Sequence, residues 1–245
     1  MILAGGAWSA MLARRHGVDL PQLLVKGTVC ATEKLPEIIS GQIKDDEIAI
    51  RRREDGSYTL ALPNVIHTIG PDSFRNALQY LPLLQTMPDF SLALPSSSFH
   101  HPNSIAVKEI MSNWQNNETS PFETTRVLNP TPDSSTITKL QHLFSERFPE
   151  LFQKQSGLAG LPKIQKSWAG MIDAMPDVVP VIDRVSEVEG LIVATGMSAH
   201  GFGIGPGFGK AIAHMTLGKE IGHDMYRFRS SRFKDGSEIV CGPGL

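Results

Sequence analysis

The sequence contains little cysteine, no long apolar run and no excess of charge of either sign. Its two cysteines, Cys30 and Cys241, form no C-x-x-C pair, so we expect no disulfide framework and predict a reducing, cytoplasmic location. No apolar stretch approaches the roughly 18 residues that a transmembrane helix needs, so no transmembrane segment is expected. With 23 Lys and Arg against 25 Asp and Glu, the net charge of −2 argues against nucleic-acid binding through bulk charge.

The common phosphate-binding loops are also missing. A dinucleotide fingerprint needs glycine at the first, third and sixth places of G-x-G-x-x-G, and no such hexapeptide occurs in the 245 residues. Gly209-Lys210 would fill the G-K places of a P-loop, but the first glycine would then fall on Ile204 and the Ser/Thr place on Ala211. The sequence therefore predicts neither a P-loop enzyme nor a chain with its own dinucleotide fingerprint.

Two further catalytic classes lack the residues that they need. The nucleophile elbow of many hydrolases reads G-x-S-x-G, and around Ser198 the second glycine place is taken by His200. The adjacent pair His100-His101 has no carboxylate close by in the sequence. We therefore expect neither a serine hydrolase nor a metal site.

The chain begins with the pattern of a strand, a turn and a helix. Residues 1–4 are apolar and predict a buried strand, which Gly5-Gly6 ends. Residues 7–16 then show apolar side chains at helical spacing, with basic residues in the last turn, where they suit the helix dipole.

The middle of the chain changes to a hairpin pattern. Residues 47–53 and 57–62 are strand-like and flank Asp55-Gly56, a dipeptide that favours a tight turn. A further short strand is predicted over residues 126–128.

Two amphipathic helices are predicted in the same region. Residues 71–84 form the first, with Phe74, Leu78 and Leu81 expected along its buried face. Residues 135–148 form the second, and the side chains expected along its buried face are Ile137, Leu140, Phe144 and Phe148. We expect both helices to pack against the sheet that contains the hairpin.

The last third returns to buried strands and then to glycine. Residues 191–195 give the clearest strand pattern, a glycine-dense loop is predicted over 196–207, and a helix is expected to start near residue 207 or 208. A strand, a glycine loop and a helix suit an anionic or electron-rich ligand, because backbone N–H groups converge and the helix N-terminus adds positive charge. The alternative is a flexible connection between strand and helix.

These patterns predict a mixed fold of the α+β type in two domains. Residues 1–22 and 168–245 share glycine-bounded buried strands and are expected to pack together. Residues 23–167 carry the hairpin pattern and are expected to form a second domain around a mixed or antiparallel sheet. The prediction requires segments 1–8 and 190–207 to lie close together.

Three segments, in order along the chain, resemble one known family. Residues 2–9, ILAGGAWS, are similar to its LAAGAWS turn. Residues 167–170 and 176–182 are similar to its W-x-G and TPD-x-x-P-I strand pair, and residues 194–206 to its ATGHSGHGF…GP loop. The family comprises FAD-dependent amino-acid and amine oxidoreductases of the D-amino-acid oxidase type, with glycine and sarcosine oxidases and D-amino-acid dehydrogenases.

The resemblance implies FAD as the cofactor and an amino acid or a secondary amine as the substrate. It implies oxidative deamination, in which the amine-bearing carbon gives a hydride to the flavin and water hydrolyses the imine. It also makes residues 1–22 and 168–245 an incomplete, discontinuous FAD-binding domain of Rossmann-like type and residues 23–167 the substrate-binding domain. The residues that it places against the cofactor are Ala4, Gly5, Ala7, Trp8, Gly170, Gly196, Met197, Ser198, Ala199, His200, Gly201, Phe202, Gly203 and Ile204.

The chain departs from the family pattern in three ways. It has neither the glycine fingerprint for the FAD pyrophosphate nor the acidic residue that follows it. Ile172 and Gly203 stand where several members carry a basic residue, in the first case the arginine that binds the substrate carboxylate. Other cations would then be needed, with Arg75, Lys163 and Lys166 as candidates, and secondary amines or opine-like substrates are expected ahead of small α-amino acids.

The alternative function is a non-catalytic fragment or subunit that retains the substrate-domain fold and needs a partner chain. An uncovered strand edge beside residues 1–4 would favour self-association or pairing with such a partner. A G-x-G-x-x-G region encoded in frame before Met1 would instead make the chain part of a longer enzyme.

Overall fold

The computed structural model describes residues 1–63, 65–86, 90–94, 114, 117–152 and 160–242. The strands in these ranges are β1 (Ile2–Leu3), β2 (Leu23–Thr32), β3 (Gln42–Lys44), β4 (Ala49–Arg52), β5 (Tyr58–Ala61), β6 (Val65–Thr68), β7 (Phe90–Ala93), β8 (Ile164–Ala174), β9 (Val181–Arg184) and β10 (Ile192–Thr195). The α-helices are α1 (Ser9–Arg15), α2 (Pro71–Arg75), α3 (Ala77–Thr86), α4 (Pro121–Thr124), α5 (Ser134–Arg147), α6 (Pro149–Phe152) and α7 (Gly201–Thr216). His100-His101 lies outside the described residues.

The chain divides into two compact units, and the mixed α/β fold class is confirmed. The first unit comprises residues 1–25, 66–127 and 172–245, and the second comprises residues 26–65 and 128–171. Residues 66–127, which the sequence assigned to the second domain, therefore belong to the first unit. The assignment of an FAD-binding and a substrate-binding role to the two domains stays a prediction.

The first unit is organised around a three-stranded sheet with the order β1-β10-β9. Strand β10 pairs in parallel with β1, matching Ile2 to Ile192 and Leu3 to Val193, and antiparallel with β9. Strand β10 is buried along its whole length because it is the central strand. A core of apolar side chains from β1, α1, β9 and β10 covers the sheet.

The second unit contains the predicted hairpin. Strands β4 and β5 pair antiparallel, and Gly56 takes φ +84° in the turn between them, where a left-handed residue is required. The strand order is β3-β4-β5-β2, and β8 lies beside β2. Helix α5 packs Leu140 and Phe144 into the core of this unit, and Asp133 caps its N-terminus by accepting the Thr136 N–H at 2.7 Å.

The prediction of a strand at residues 126–128 was wrong. Helix α4 ends at Thr124, and the residues after it are irregular. Pro130 and Pro132 follow at once and have no backbone N–H to donate, so this segment is poorly suited to continue as a paired strand.

The prediction for the buried face of the helix over residues 71–84 was also wrong. Two helices, α2 and α3, cover this segment, and Phe74, Leu78 and Leu81 are 76%, 83% and 49% exposed. The side chains that face the core instead include Tyr80 and Leu83.

Polar anchors explain the orientation of α3. The Tyr80 hydroxyl accepts the Leu23 N–H at 3.0 Å and donates to the Ala174 carbonyl at 2.6 Å. Burial raises the pKa of this hydroxyl well above its usual range, so it remains a neutral donor. Apolar periodicity alone gave no indication of these hydrogen bonds.

Candidate functional site

Two turns meet at one edge of the three-stranded sheet. Because β1 and β10 run in parallel, their carboxyl ends lie side by side, and each strand ends in one of the predicted glycine segments. We name residues 4–8 the first turn and residues 196–200 the second turn. The Thr195 hydroxyl donates to the Gly6 carbonyl, with Oγ1 and the carbonyl oxygen 3.3 Å apart. Ligands of open sheets bind at this kind of edge, beyond the carboxyl ends of the strands.

The first turn is held by short-range hydrogen bonds. Gly5 N–H donates to the buried Ser9 hydroxyl at 3.1 Å, and residues 6–8 form a single 3-10 turn in which Gly6 has φ +52°. Gln22, which is 3% exposed, donates from its amide nitrogen to the Gly6 carbonyl at 2.9 Å. The loop before β2 thus fixes the turn after β1.

The second turn has an unusual backbone. Gly196, Ser198 and Ala199 have φ values of +72°, +47° and +66°. A Cβ at residue 196 would overlap the Cγ and sulfur of Met175, so only glycine fits there without displacement. Ser198 is fully buried, and its hydroxyl donates to the Gly196 carbonyl at 3.1 Å.

Helix α7 begins at Gly201, six residues before the predicted start. The His200 carbonyl accepts the N–H groups of Gly203 at 3.0 Å and Ile204 at 3.2 Å, which closes the first turn of the helix. Pro206 lies inside the helix and lacks an N–H, so it leaves the Phe202 carbonyl without its usual intrahelical donor. Phe202 is fully exposed, so water reaches this carbonyl and the helix tolerates the proline.

The first half of α7 is open. Positions 203, 205, 207 and 209 are glycines, and a Cβ at any of them would meet no atom within 4 Å other than the adjacent residues and the backbone of the helix itself. Ala211 alone among the sixteen residues of α7 is buried, and the structure describes all sixteen. Glycine costs about 1 kcal/mol relative to alanine in a helix, so the glycines here are not explained by packing within the described chain.

The structure brings most of the predicted site residues to the same edge of the sheet. Ala4, Gly5, Ala7 and Trp8 lie in the first turn, and residues 196–204 form the second turn and the start of α7. Gly170 lies in β8 within the second unit, where it is exposed and has open space at its Cβ position.

The candidate cations occupy different surroundings. Arg75 forms an ion pair with the buried Asp72. Lys163 is exposed, and the Lys166 ammonium lies 5.7 Å from the centre of the Trp168 ring. Each candidate therefore stays a prediction as a substrate-binding group.

Sequence reasoning missed the residues that hold the second turn. Asp173 Oδ2 accepts the Gly196 N–H at 2.8 Å, and the Thr195 hydroxyl lies 3.2 Å from the same oxygen. Strand β8 extends to Ala174 and so brings Asp173 under the turn. Residues 169–174 read AGMIDA, in which apolar and polar side chains do not alternate, so no strand periodicity indicated this extension.

The described residues contain neither a metal-binding cluster nor a helix that could span a membrane. Among the described residues, no cluster of three or more His, Cys, Asp or Glu side chains is placed to hold a metal ion. In the same part of the chain, no helix has the length and apolar character needed to cross a bilayer.

The chain is similar in structure and in sequence to several known proteins. L-amino acid deaminase from Proteus vulgaris matches with a TM-score of 0.80 and 26% identity, over 95% of this chain and 51% of that chain. The deaminase from Proteus myxofaciens, solved in complex with anthranilate, gives 0.82 and 26% over 95% and 49%. N-methyl-L-tryptophan oxidase from Salmonella typhi is 36% identical over 89 residues, or 36% of this chain and 23% of that protein.

The chain spans about half the length of these solved relatives and aligns with about a quarter of the oxidase. The family model for FAD-dependent oxidoreductases, named DAO, matches residues 1–215 and so includes both turns and nearly all of α7. The chain therefore belongs to the DAO family of FAD-dependent oxidoreductases, whose cofactor is FAD.

Proposed function

We propose that this chain supplies the flavin-facing part of an oxidoreductase that oxidatively deaminates an amino acid or a secondary amine. The observation that carries the proposal is the parallel pairing of β1 with β10, which puts both family-like turns at one edge of the sheet. The Thr195 hydroxyl links the two turns through the Gly6 carbonyl. The first unit thus has the arrangement that a planar, electron-rich ring would need on one side.

The residues present fit an isoalloxazine ring. A ring that lies close to the backbone requires a position without a Cβ atom, and the glycine at 203 leaves such space at the start of α7. The N–H groups of Met197 and Ala199 make no hydrogen bond within the described part of the chain and are suited to donate to ring carbonyl oxygens. Residues 4–8 and 196–204 would hold the ring.

When bound, FAD supplies the acceptor for a hydride from the amine-bearing carbon, after which water hydrolyses the imine. The chain contributes fixed dipoles to this chemistry. Helix α7 points its N-terminus, at Gly201, toward the edge where the two turns meet, and the partial positive charge there stabilises negative charge on a bound group. The left-handed second turn fixes the direction of its N–H groups before any ligand arrives.

The substrate is proposed from chemistry and from the relatives together. Ile172 in place of a basic residue favours secondary amines or opine-like compounds over small α-amino acids. Two relatives, N-methyl-L-tryptophan oxidase and L-amino acid deaminase, carry the L configuration in their names and so favour an L substrate. The D configuration suggested by the sequence resemblance has no support from these relatives.

A second candidate is a subunit that needs a partner chain to complete the cofactor site. Strand β1 is at the end of the order β1-β10-β9, and Ile2 is 47% exposed, so a further strand has room to pair there. The sequence carries no G-x-G-x-x-G motif, and a partner with that motif would supply the grip on the FAD pyrophosphate.

A comparison of two flavins tests the proposal. Because the chain has a ring-binding edge without a fingerprint for the pyrophosphate, it should bind riboflavin and FAD weakly, with affinities within about tenfold of each other. Fluorescence quenching measures both affinities, and gel filtration should strip the flavin from the protein. Retention of about one FAD per chain after gel filtration would show a complete dinucleotide site and contradict this account of the missing grip.

A matched pair of glycine variants tests whether α7 takes part in riboflavin binding. Gly203→Val places a branched side chain at the proposed ring face and should abolish riboflavin quenching. Gly209→Val makes the same change six residues later, at a position equally free of neighbours, and should leave quenching intact. Equal quenching by both variants would remove α7 from the site.

A further inference from the structure

The end of β8 supports the second turn through one residue. The Asp173 carboxylate oxygen Oδ2 accepts the Gly196 N–H at 2.8 Å and lies 3.2 Å from the Thr195 hydroxyl. The main-chain carbonyl of Asp173 accepts the Ser198 N–H at 3.3 Å. Asp173 therefore contacts the last residue of β10 and two residues of the turn that follows it.

The turn needs such support because its backbone is costly. Ser198 and Ala199 are not glycines, yet they have φ values of +47° and +66°. Residues in this region of backbone space persist where the surrounding structure holds them, and they cluster at functional sites. Met175, two residues after Asp173, adds to the support, since its N–H approaches the Ser198 hydroxyl at 3.4 Å.

An ionised carboxylate suits this task better than a neutral side chain. It is an acceptor only, so the Gly196 N–H that it contacts must point its hydrogen toward it. Hydrogen bonds to an ionised acceptor are also roughly twice as strong as neutral ones. The Gly196 N–H is then turned inward, and the N–H groups of Met197 and Ala199 remain available at the edge of the sheet.

We propose that Asp173 is a positioning residue, whose carboxylate fixes the left-handed second turn so that its remaining N–H groups face the ligand edge. The link to flavin rests on the proposed function, whereas the effect on the turn does not. Asp173 acts through Gly196 and Thr195 and touches no reacting atom in this account.

The test is amide hydrogen exchange of the intact chain, read in peptides that span residues 196–204. Asp173→Ala should accelerate exchange there by about tenfold or more, because a charged acceptor is lost. Asp173→Asn keeps a carbonyl acceptor of the same shape and should restore most of the protection. Riboflavin quenching by the Ala variant should require at least about tenfold more protein than the wild type.

The matched control is Asp183→Ala. The Asp183 carboxylate in β9 accepts the N–H and the hydroxyl of Ser230, both at 2.8 Å, and makes no hydrogen bond to the second turn within the described part of the chain. This variant should leave exchange at 196–204 unchanged. Unchanged exchange in Asp173→Ala, or an equal acceleration in Asp183→Ala, would overturn the proposal. Faster exchange in Asp173→Ala with no riboflavin binding by the wild type would uphold the positioning role and refute the proposed function.

Discussion

The second turn and the first half of α7 are adjacent in the chain and both contain glycine, yet the space around their glycines differs. In the turn, Gly196 is surrounded, since Met175 occupies the space that a side chain would need. In the helix, the glycines at 203, 205, 207 and 209 have no neighbour within 4 Å of a Cβ position other than the adjacent residues and the backbone of the helix itself. Packing thus requires glycine in the second turn, whereas nothing within the described chain requires glycine in the first half of α7.

This difference separates structural from functional glycines. A glycine that packing requires shows how the protein's own core is arranged. A glycine that lowers helix stability and has open space beside it indicates instead that a ligand approaches the helix at that position. On this basis, the start of α7 is the better guide to the ligand, and the second turn is the better guide to how the site is held.

The largest effect is expected where packing is tightest. Gly196→Ala forces an L residue to φ +72° and drives its Cβ into Met175, so the free energy of unfolding should fall by about 3 kcal/mol. Urea denaturation measures the change. A loss below about 0.5 kcal/mol would mean that the turn relaxes freely and that Gly196 is not required by the fold.

A double-mutant cycle sharpens the cause of that loss. Met175→Ala alone removes a fully buried side chain and should cost about 2–4 kcal/mol. Combined with Gly196→Ala, it frees the space that the new methyl group needs. The double variant should therefore be more stable than the sum of the single effects by about 1–2 kcal/mol. Strict additivity would assign the Gly196→Ala loss to backbone strain alone.

The helix should respond in the opposite direction. Gly203→Ala adds a methyl group to open space and raises helix propensity, so stability should rise by about 0.5–1 kcal/mol. Riboflavin binding should weaken in the same variant, because the methyl group lies at the proposed ring face. A more stable protein with unchanged riboflavin binding would break the link between open glycines and the ligand.

The smallest effect concerns His67, a packed polar group elsewhere in the first unit. Its Nδ1 hydrogen is directed at the Leu24 carbonyl at 2.7 Å, so Nε2 accepts from the Ser73 hydroxyl at 2.7 Å in the neutral form. Burial lowers the pKa of His67 below its usual value of about 6.5.

The sign of the resulting pH dependence follows from that lowered pKa. The unfolded chain binds the proton more readily than the folded one, so stability is full above pH ~6.5 and is lost as pH falls through the folded pKa. His67→Gln should flatten the stability profile in this window. A wild-type profile that rises as pH falls below 6 would contradict the assignment of a neutral, buried imidazole.

Prediction from sequence succeeded where hydrophobic periodicity and turn chemistry decide the structure. The hairpin around Asp55-Gly56, the strand at 192–195 and the buried Leu140 and Phe144 of α5 follow from local pattern. Residues 1–8 and 190–207 were expected to lie close together because of their glycine-bounded strands, and they do so through the parallel pairing of β1 with β10.

Prediction failed where long-range polar contacts decide the structure. The orientation of α3 depends on the Tyr80 hydroxyl, which forms hydrogen bonds with the backbone of Leu23 and Ala174. Apolar periodicity does not predict those bonds. Helix α7 starts early because the His200 carbonyl accepts two N–H groups, although glycine and proline follow it. Asp173 was missed because its role depends on a strand that ends beneath a turn 23 residues further along the chain.

One measurement tests the central claim most directly. Amide exchange of the chain, recorded with and without saturating riboflavin, maps the residues that a flavin ring covers. The account predicts slower exchange in peptides that span residues 4–8 and 196–204, and unchanged exchange in the hairpin of residues 49–61, which lies in the other unit. Protection confined to the hairpin, or no protection at either turn at saturating riboflavin, would contradict the claim that these two turns form the flavin edge.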